Sequence, residues 1–178
     1  MNVKNLADKK NIIKSKENAF ELEMDVTPAS MATTGIELYN AKGEKVNIYF
    51  DMKEKKLVMD RTESGLIEFG KLAVPHDIEK NYADIHQGVG NTPFRVFNSI
   101  NYKNDFALGT WAPLSLCEGK TYHVDIFVDK CSVEIFVDGG RIAMTNLVFP
   151  TTPYTSVKFY NKGASSSFRN IKISELSL

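Results

Sequence analysis

The chain has 178 residues, enough for one well-buried domain and too few for a second of ordinary size. Its 22 basic side chains equal its 22 acidic ones, and no segment gathers Lys or Arg into a stripe that would neutralise phosphates, which argues against a nucleic-acid partner. No apolar run approaches the roughly 20 residues a membrane helix needs, so no membrane partner is expected either.

Residues 1–16 are rich in Lys and Asn, with little periodicity beyond Ile12 and Ile13, and are expected to be a linker or an edge strand, leaving 17–178 as one domain. They lack the basic start and apolar core of a secretory signal, so the chain as written is not expected to be exported; a longer parent would carry such a signal upstream. From Phe20 the alternation of Phe20, Leu22, Met24 and Val26 predicts a strand that stops at Thr27 and Pro28. Ile36 and Leu38, then Val46, Ile48 and Phe50, predict two more, joined by the turn residues Asn40 to Gly43. Lys53, Lys55 and Lys56, interrupted by Glu54, read as a solvated turn before a fourth, shorter strand from Leu57 to Asp60.

Between Gly65 and Trp111 the pattern degrades, and a loop of that length implies hidden short strands, with Phe94 to Phe97 the best placed. Order returns at Pro113 to Leu116. Tyr122 to Pro150 then reads as three antiparallel strands with turns at Lys130–Cys131 and at Asp138 to Gly140. Phe127 and Phe136 lie opposite the inward Val and Ile positions, so both faces of this hairpin carry apolar material, as expected inside a sandwich. Val157 to Tyr160 and Phe168 to Leu176 close the series. Many short strands at regular spacing, with no helical period, predict an all-β antiparallel sandwich of two sheets.

Cys117 and Cys131 flank one extended strand, which at about 3.3 Å per residue holds them roughly 25–30 Å apart, so both are expected as free thiols. His76, His86 and His123 are too scattered for a metal site, Gly88-Val89-Gly90 is a lone fragment of a phosphate loop, and Ser64 lacks the glycine of a nucleophile elbow. No cofactor and no metal are expected.

Two segments carry a resemblance. IFVDKCSVEIFVDGG followed by TNLVFP, and LVMDRTESG at Leu57 to Gly65, resemble the signatures of the C-terminal β-sandwich module of glycoside hydrolase family 32, the β-fructosidases that include invertases, inulinases and levanases. The resemblance covers about Phe20 to Leu176 and implies a jelly-roll, concanavalin- or lectin-like sandwich. In that family a small serine-like residue stands where this chain has Cys131. The family's catalysis resides on a separate five-bladed propeller, in Trp-Met-Asn-Asp-Pro, Arg-Asp-Pro and Glu-Cys motifs that supply the paired carboxylates of glycoside hydrolysis. None of the three occurs here: Met24-Asp25 lacks its neighbours and Cys117-Glu118 is reversed.

The resemblance therefore implies a non-catalytic module whose partner is the catalytic propeller of a parent enzyme, in one chain or split, with a fructan oligosaccharide as a second candidate partner. It implies a periplasmic or secreted location if that parent is an exported fructanase. Asp60, Arg61, Asp129 and Glu134 lie beside apolar strand positions where an unpaired charge is costly, so they are expected to form a structural polar network, with Arg61 reaching Glu134 or Asp129 and the Asp residues accepting turn amides. The alternative is that this ladder contacts sugar or the propeller. Trp111, with Tyr102 and Phe106, is the candidate sugar platform; Tyr82, Phe94 and Phe97 lie in the same aromatic stretch, and the competing reading is a satellite core. Two further functions remain open: a free-standing lectin-like protein, and a hydrolase using Asp60, Asp129 or Glu134.

Overall fold

A computed structural model describes residues 2–3, 11–67 and 108–176. Twelve strands form two six-stranded antiparallel sheets, and no α-helix occurs among the described residues. In chain order they are β1 Asn2–Val3, β2 Ile12–Lys14, β3 Phe20–Thr27, β4 Thr33–Tyr39, β5 Lys45–Asp51 and β6 Lys56–Glu63. The remainder are β7 Thr110–Pro113, β8 Tyr122–Val128, β9 Ser132–Val137, β10 Ile142–Leu147, β11 Ser156–Lys162 and β12 Ser166–Glu175. The first sheet has the order β1-β12-β3-β8-β9-β10, and the second β2-β11-β4-β5-β6-β7.

The alternation read from the sequence sets the inward faces. Leu22, Met24 and Val26 of β3, Val124, Ile126 and Val128 of β8, and Val133, Ile135 and Val137 of β9 are buried on the first sheet. Ile36, Leu38, Val46, Ile48, Phe50, Leu57 and Met59 answer them from the second. Aromatic pairs tie the sheets at two places: Phe50 meets Tyr122 at 5.5 Å between ring centroids, and Phe159 meets Phe168 edge-on at 5.1 Å.

The expected turns form for the expected reasons. Asn40 Oδ1 accepts the amides of Lys42 and Glu44, and Gly43 supplies a positive φ of 82°. The signature run gives β8, β9 and β10, with β8 and β9 interior to their sheet and β10 at its edge. Cys117 and Cys131 are both free and exposed.

Two expectations are corrected. The strand expected over Leu57 to Asp60 runs on to Glu63, because a register shift against β5 places Asn47 opposite Asp60 but Lys45 opposite Glu63. This bulge breaks the alternation that the sequence reading relied on. Pro113 to Leu116 is not a strand: β7 ends at Pro113, and the following segment crosses from the second sheet to the first. Leu114 and Leu116 plug the core on the way, and the Tyr122 hydroxyl holds the crossing by donating to Ser115 O and accepting from Cys117 N. Phe94 to Phe97 lie outside the described residues.

Candidate functional site

The two signature segments, nearly ninety positions apart in sequence, meet at one end of the sandwich. Arg61 Nη1 donates to Leu147 O at 2.8 Å and its Nε to Leu108 O at 3.4 Å. Leu66 N donates to Phe149 O at 2.8 Å, and the Tyr154 hydroxyl donates to Ser64 O. Asn146 Nδ2 reaches Thr110 Oγ1 at 2.5 Å and Met59 Sδ at 2.9 Å. Gly65, at φ 124°, lies so close to the Phe149–Pro150 backbone that a Cβ there would sit 2.5 Å from Phe149 O. The glycine of one signature is thus required by the backbone of the other.

Of the charged signature residues, Arg61 lies at this seam, Asp60 in the bulge, Asp129 at a turn and Glu134 within β9. Asp60 Oδ1 accepts both the amide and the hydroxyl of Thr62, at 2.9 and 2.7 Å, inside the bulge. Asp129 Oδ1 accepts Lys130 N at 2.6 Å, while Asp129 N donates to Ser132 O and closes the β8–β9 turn. Glu134 sits opposite Phe127 and Thr145 at an outward position of β9. Arg61 is half-buried at the seam, and burial lowers its guanidinium pKa.

Trp111 lies on β7, opposite Val58, and is 57% exposed, with the Lys56 ammonium 4.6 Å from its ring centroid. Tyr102, Phe106, Tyr82, His76 and His86 lie outside the described residues.

The sequence reading did not single out a depression of about 390 Å³ on the outer face of the second sheet. Glu37, Lys45, Asn47, Tyr49, Asp60 and Tyr160 are among its lining residues, contributed by β4, β5, β6 and β11. Lys45 is held by Glu63 at 2.7 Å and lies 3.9 Å from Glu37, which also pairs with Lys158 at 3.6 Å. Tyr160 is only 5% exposed although it points away from the core; burial, then the neighbouring Tyr49, Glu37 and Asp60, push its phenol well above the usual tyrosine range. Burial and the carboxylates of Asp60 and Asp51 raise Tyr49 as well. The available signal was the outward alternation Asn47, Tyr49, Asp51, which places an aromatic on an otherwise polar face.

The outer face of the first sheet is charged and internally paired. His123 lies 2.8 Å from Asp25 and 3.2 Å from Asp125, and Lys172 pairs with Glu23 at 3.0 Å. The hydrogen bond to Asp25 raises the His123 pKa and, with one from Asn170, lowers that of Asp25. Glu21, Glu23 and Asp125 cluster beside them.

Two antiparallel sheets, clasped at one end and plugged by apolar side chains, define a lectin-like β-sandwich module. The family described as "Glycosyl hydrolases family 32 C terminal" matches residues 1–175, and the chain belongs to it. It is a C-terminal β-sandwich domain of that family, and its 178 residues contain none of the family's three propeller motifs. It is 30% identical over 95 residues to a levanbiose-producing levanase of Bacillus subtilis (strain 168), a match covering 53% of this chain and 17% of that protein. A crystal structure of fructosyltransferase from A. japonicus superposes with a TM-score of 0.64 at 16% identity, over 98% of this chain and 25% of that one. Sheep galectin-11 superposes with a TM-score of 0.54 at 6% identity, over 92% of this chain and 95% of the galectin. These last two likenesses speak for the fold. The chain spans less than a fifth of the length of the curated levanases it matches.

Proposed function

We propose that this chain supports a catalytic β-propeller in an enzyme that hydrolyses fructan or sucrose, contributing a docking surface and no reacting group. The observation that carries the reading is a family match over nearly the whole chain, in a sequence without any of the three propeller motifs. The levanase likeness points to a fructan as the parent's substrate. A polar network of Asp60, Arg61, Asp129 and Glu134 has a structural role in this reading, because the bonds described for the first three hold a bulge, a seam and a turn. The test is to incubate the purified chain with levan, inulin and sucrose, and then to mix it with a separately produced propeller of the family. No fructose release by the chain alone, together with a stable one-to-one complex with the propeller, is the expected result. Enzyme-like release of fructose by the chain alone overturns it.

A free-standing lectin-like role is the second reading, favoured by the exposed Trp111 beside Lys56. Affinity for an oligosaccharide without affinity for any propeller separates it from the first.

A further inference from the structure

Strand register brings an aromatic row onto the outer face of the second sheet. Tyr160 lies opposite Gly35, Gly35 opposite Tyr49, Tyr49 opposite Val58, and Val58 opposite Trp111. The row crosses β11, β4, β5, β6 and β7, a span of about 19 Å at about 4.8 Å per strand. At Gly35 the neighbouring strand comes close: a Cβ there would lie 2.0 Å from Ile48 O and 2.6 Å from Tyr49 Cα. A side chain is therefore excluded between the two tyrosines, which both line the depression.

The polar lining has a distinct character. Glu37, Asp51 and Asp60 set three carboxylates against the two ammonium groups of Lys45 and Lys162, with the Asn47 amide and the Thr33 hydroxyl among them. Near balance of charge suits neither a polyanion nor a polycation. Neutral hydroxyl groups suit it, since each donates one hydrogen bond and accepts others, and so needs acceptors and donors side by side. The acceptors keep capacity: both ammonium groups near Glu37 stand beyond hydrogen-bond distance, at 3.6 and 3.9 Å, and the bonds from Thr62 engage only Oδ1 of Asp60. A volume of about 390 Å³ is at the small-ligand end of protein clefts.

We propose that this face binds a neutral oligosaccharide, with sugar rings laid along the row from Tyr49 to Trp111 and their hydroxyls on Glu37, Asn47 and Asp60. The choice of sugar rests on the module reading above. Recognition is of hydroxylated rings with one apolar face, whether the chain is a fructan or another neutral glycan.

The fluorescence of Trp111, the single Trp, reports occupancy. Titration with fructo-oligosaccharides from levan and from inulin, and separately with galacto- and gluco-oligosaccharides, is expected to change it with at least one of them. Tyr49→Ala and Asn47→Ala are each expected to weaken binding by about tenfold or more. Calorimetry measures binding directly, and the milder Asn47→Ala keeps the test valid if removal of the Tyr49 ring loosens the sheet. A response to fructans alone assigns the face to the parent enzyme's substrate; a response to galactosides or glucosides alone supports the face and the lectin reading. No binding heat with any sugar, or binding that neither variant weakens, overturns the site. A chain that docks a propeller but binds no sugar loses this proposal and keeps the module reading; a chain that binds sugar here but docks no propeller does the reverse.

Discussion

The two outer faces of the sandwich are built on equivalent strands and have opposite characters. On the first sheet, His123 is shared by Asp25 and Asp125, Lys172 by Glu23, and Phe127 covers Phe136 edge-on at 5.9 Å, so charges and rings are satisfied by one another. On the second, Tyr49 and Tyr160 stand on either side of the glycine of β4, and both line a depression with Glu37, Asn47 and Asp60. One face closes on itself through paired side chains, while the other keeps a depression lined by polar groups and two tyrosines.

The largest expected effect tests the glycine of β4. Gly35→Ala places a methyl against the Ile48 carbonyl and Tyr49 backbone, where no flexible side chain can yield, and is expected to cost about 3 kcal/mol or more in denaturant unfolding. A neutral outcome would show that the strands separate easily, and would weaken the contrast between the faces.

Arg61→Ala tests the clasp between the sheets while leaving both faces intact. Loss of charge-assisted bonds to Leu147 O and Leu108 O is expected to lower stability by about 1.5–3 kcal/mol, measured as a shifted denaturation midpoint with unchanged slope. Unchanged stability with weakened propeller docking would instead assign Arg61 to the partner.

The smallest effect concerns the paired face. The His123 pKa is raised in the folded state, so this contribution is full below the ordinary imidazole value of about 6.5 and fades as pH climbs through the raised value. Asp25, lowered in the folded state, contributes above about pH 4 and loses its contribution only as pH falls through its depressed value. His123→Gln is expected to remove a slight decline in Tm as pH rises above about 6.5; the effect is small because His123 is 52% exposed. An identical pH profile in the variant would show that the pair is electrostatically silent.

Much of the fold was legible because a half-buried strand writes its burial into period-two alternation. β3, β5, β8 and β9 follow that rule, and each lies where Leu22, Ile48, Ile126 and Ile135 placed it. The end of β6 was not legible, since a bulge at Asp60 to Glu63 shifts the parity. Leu114 and Leu116 misled for the opposite reason: alternate burial also arises where a crossover drops two side chains into a core.

The signatures identified the family, but not that Arg61 meets the carbonyl of Leu147, because a backbone acceptor has no letter in the sequence. Residues 49, 111 and 160 become one row only through the registers of four strand pairs, which no local pattern encodes.

That same bond at Leu147 bears on how the protein stays dispersed. Of the four sheet ends among the described residues, β1, β2 and β7 are two, three and four residues long, the last carrying Pro113, too short to template another strand. β10 is six residues long, the longest of these edges, and ends in the half-exposed Leu147. Arg61 occupies the carbonyl at its last position and sets a cation there, so the residue that fastens the sheets also blunts the edge most open to aggregation.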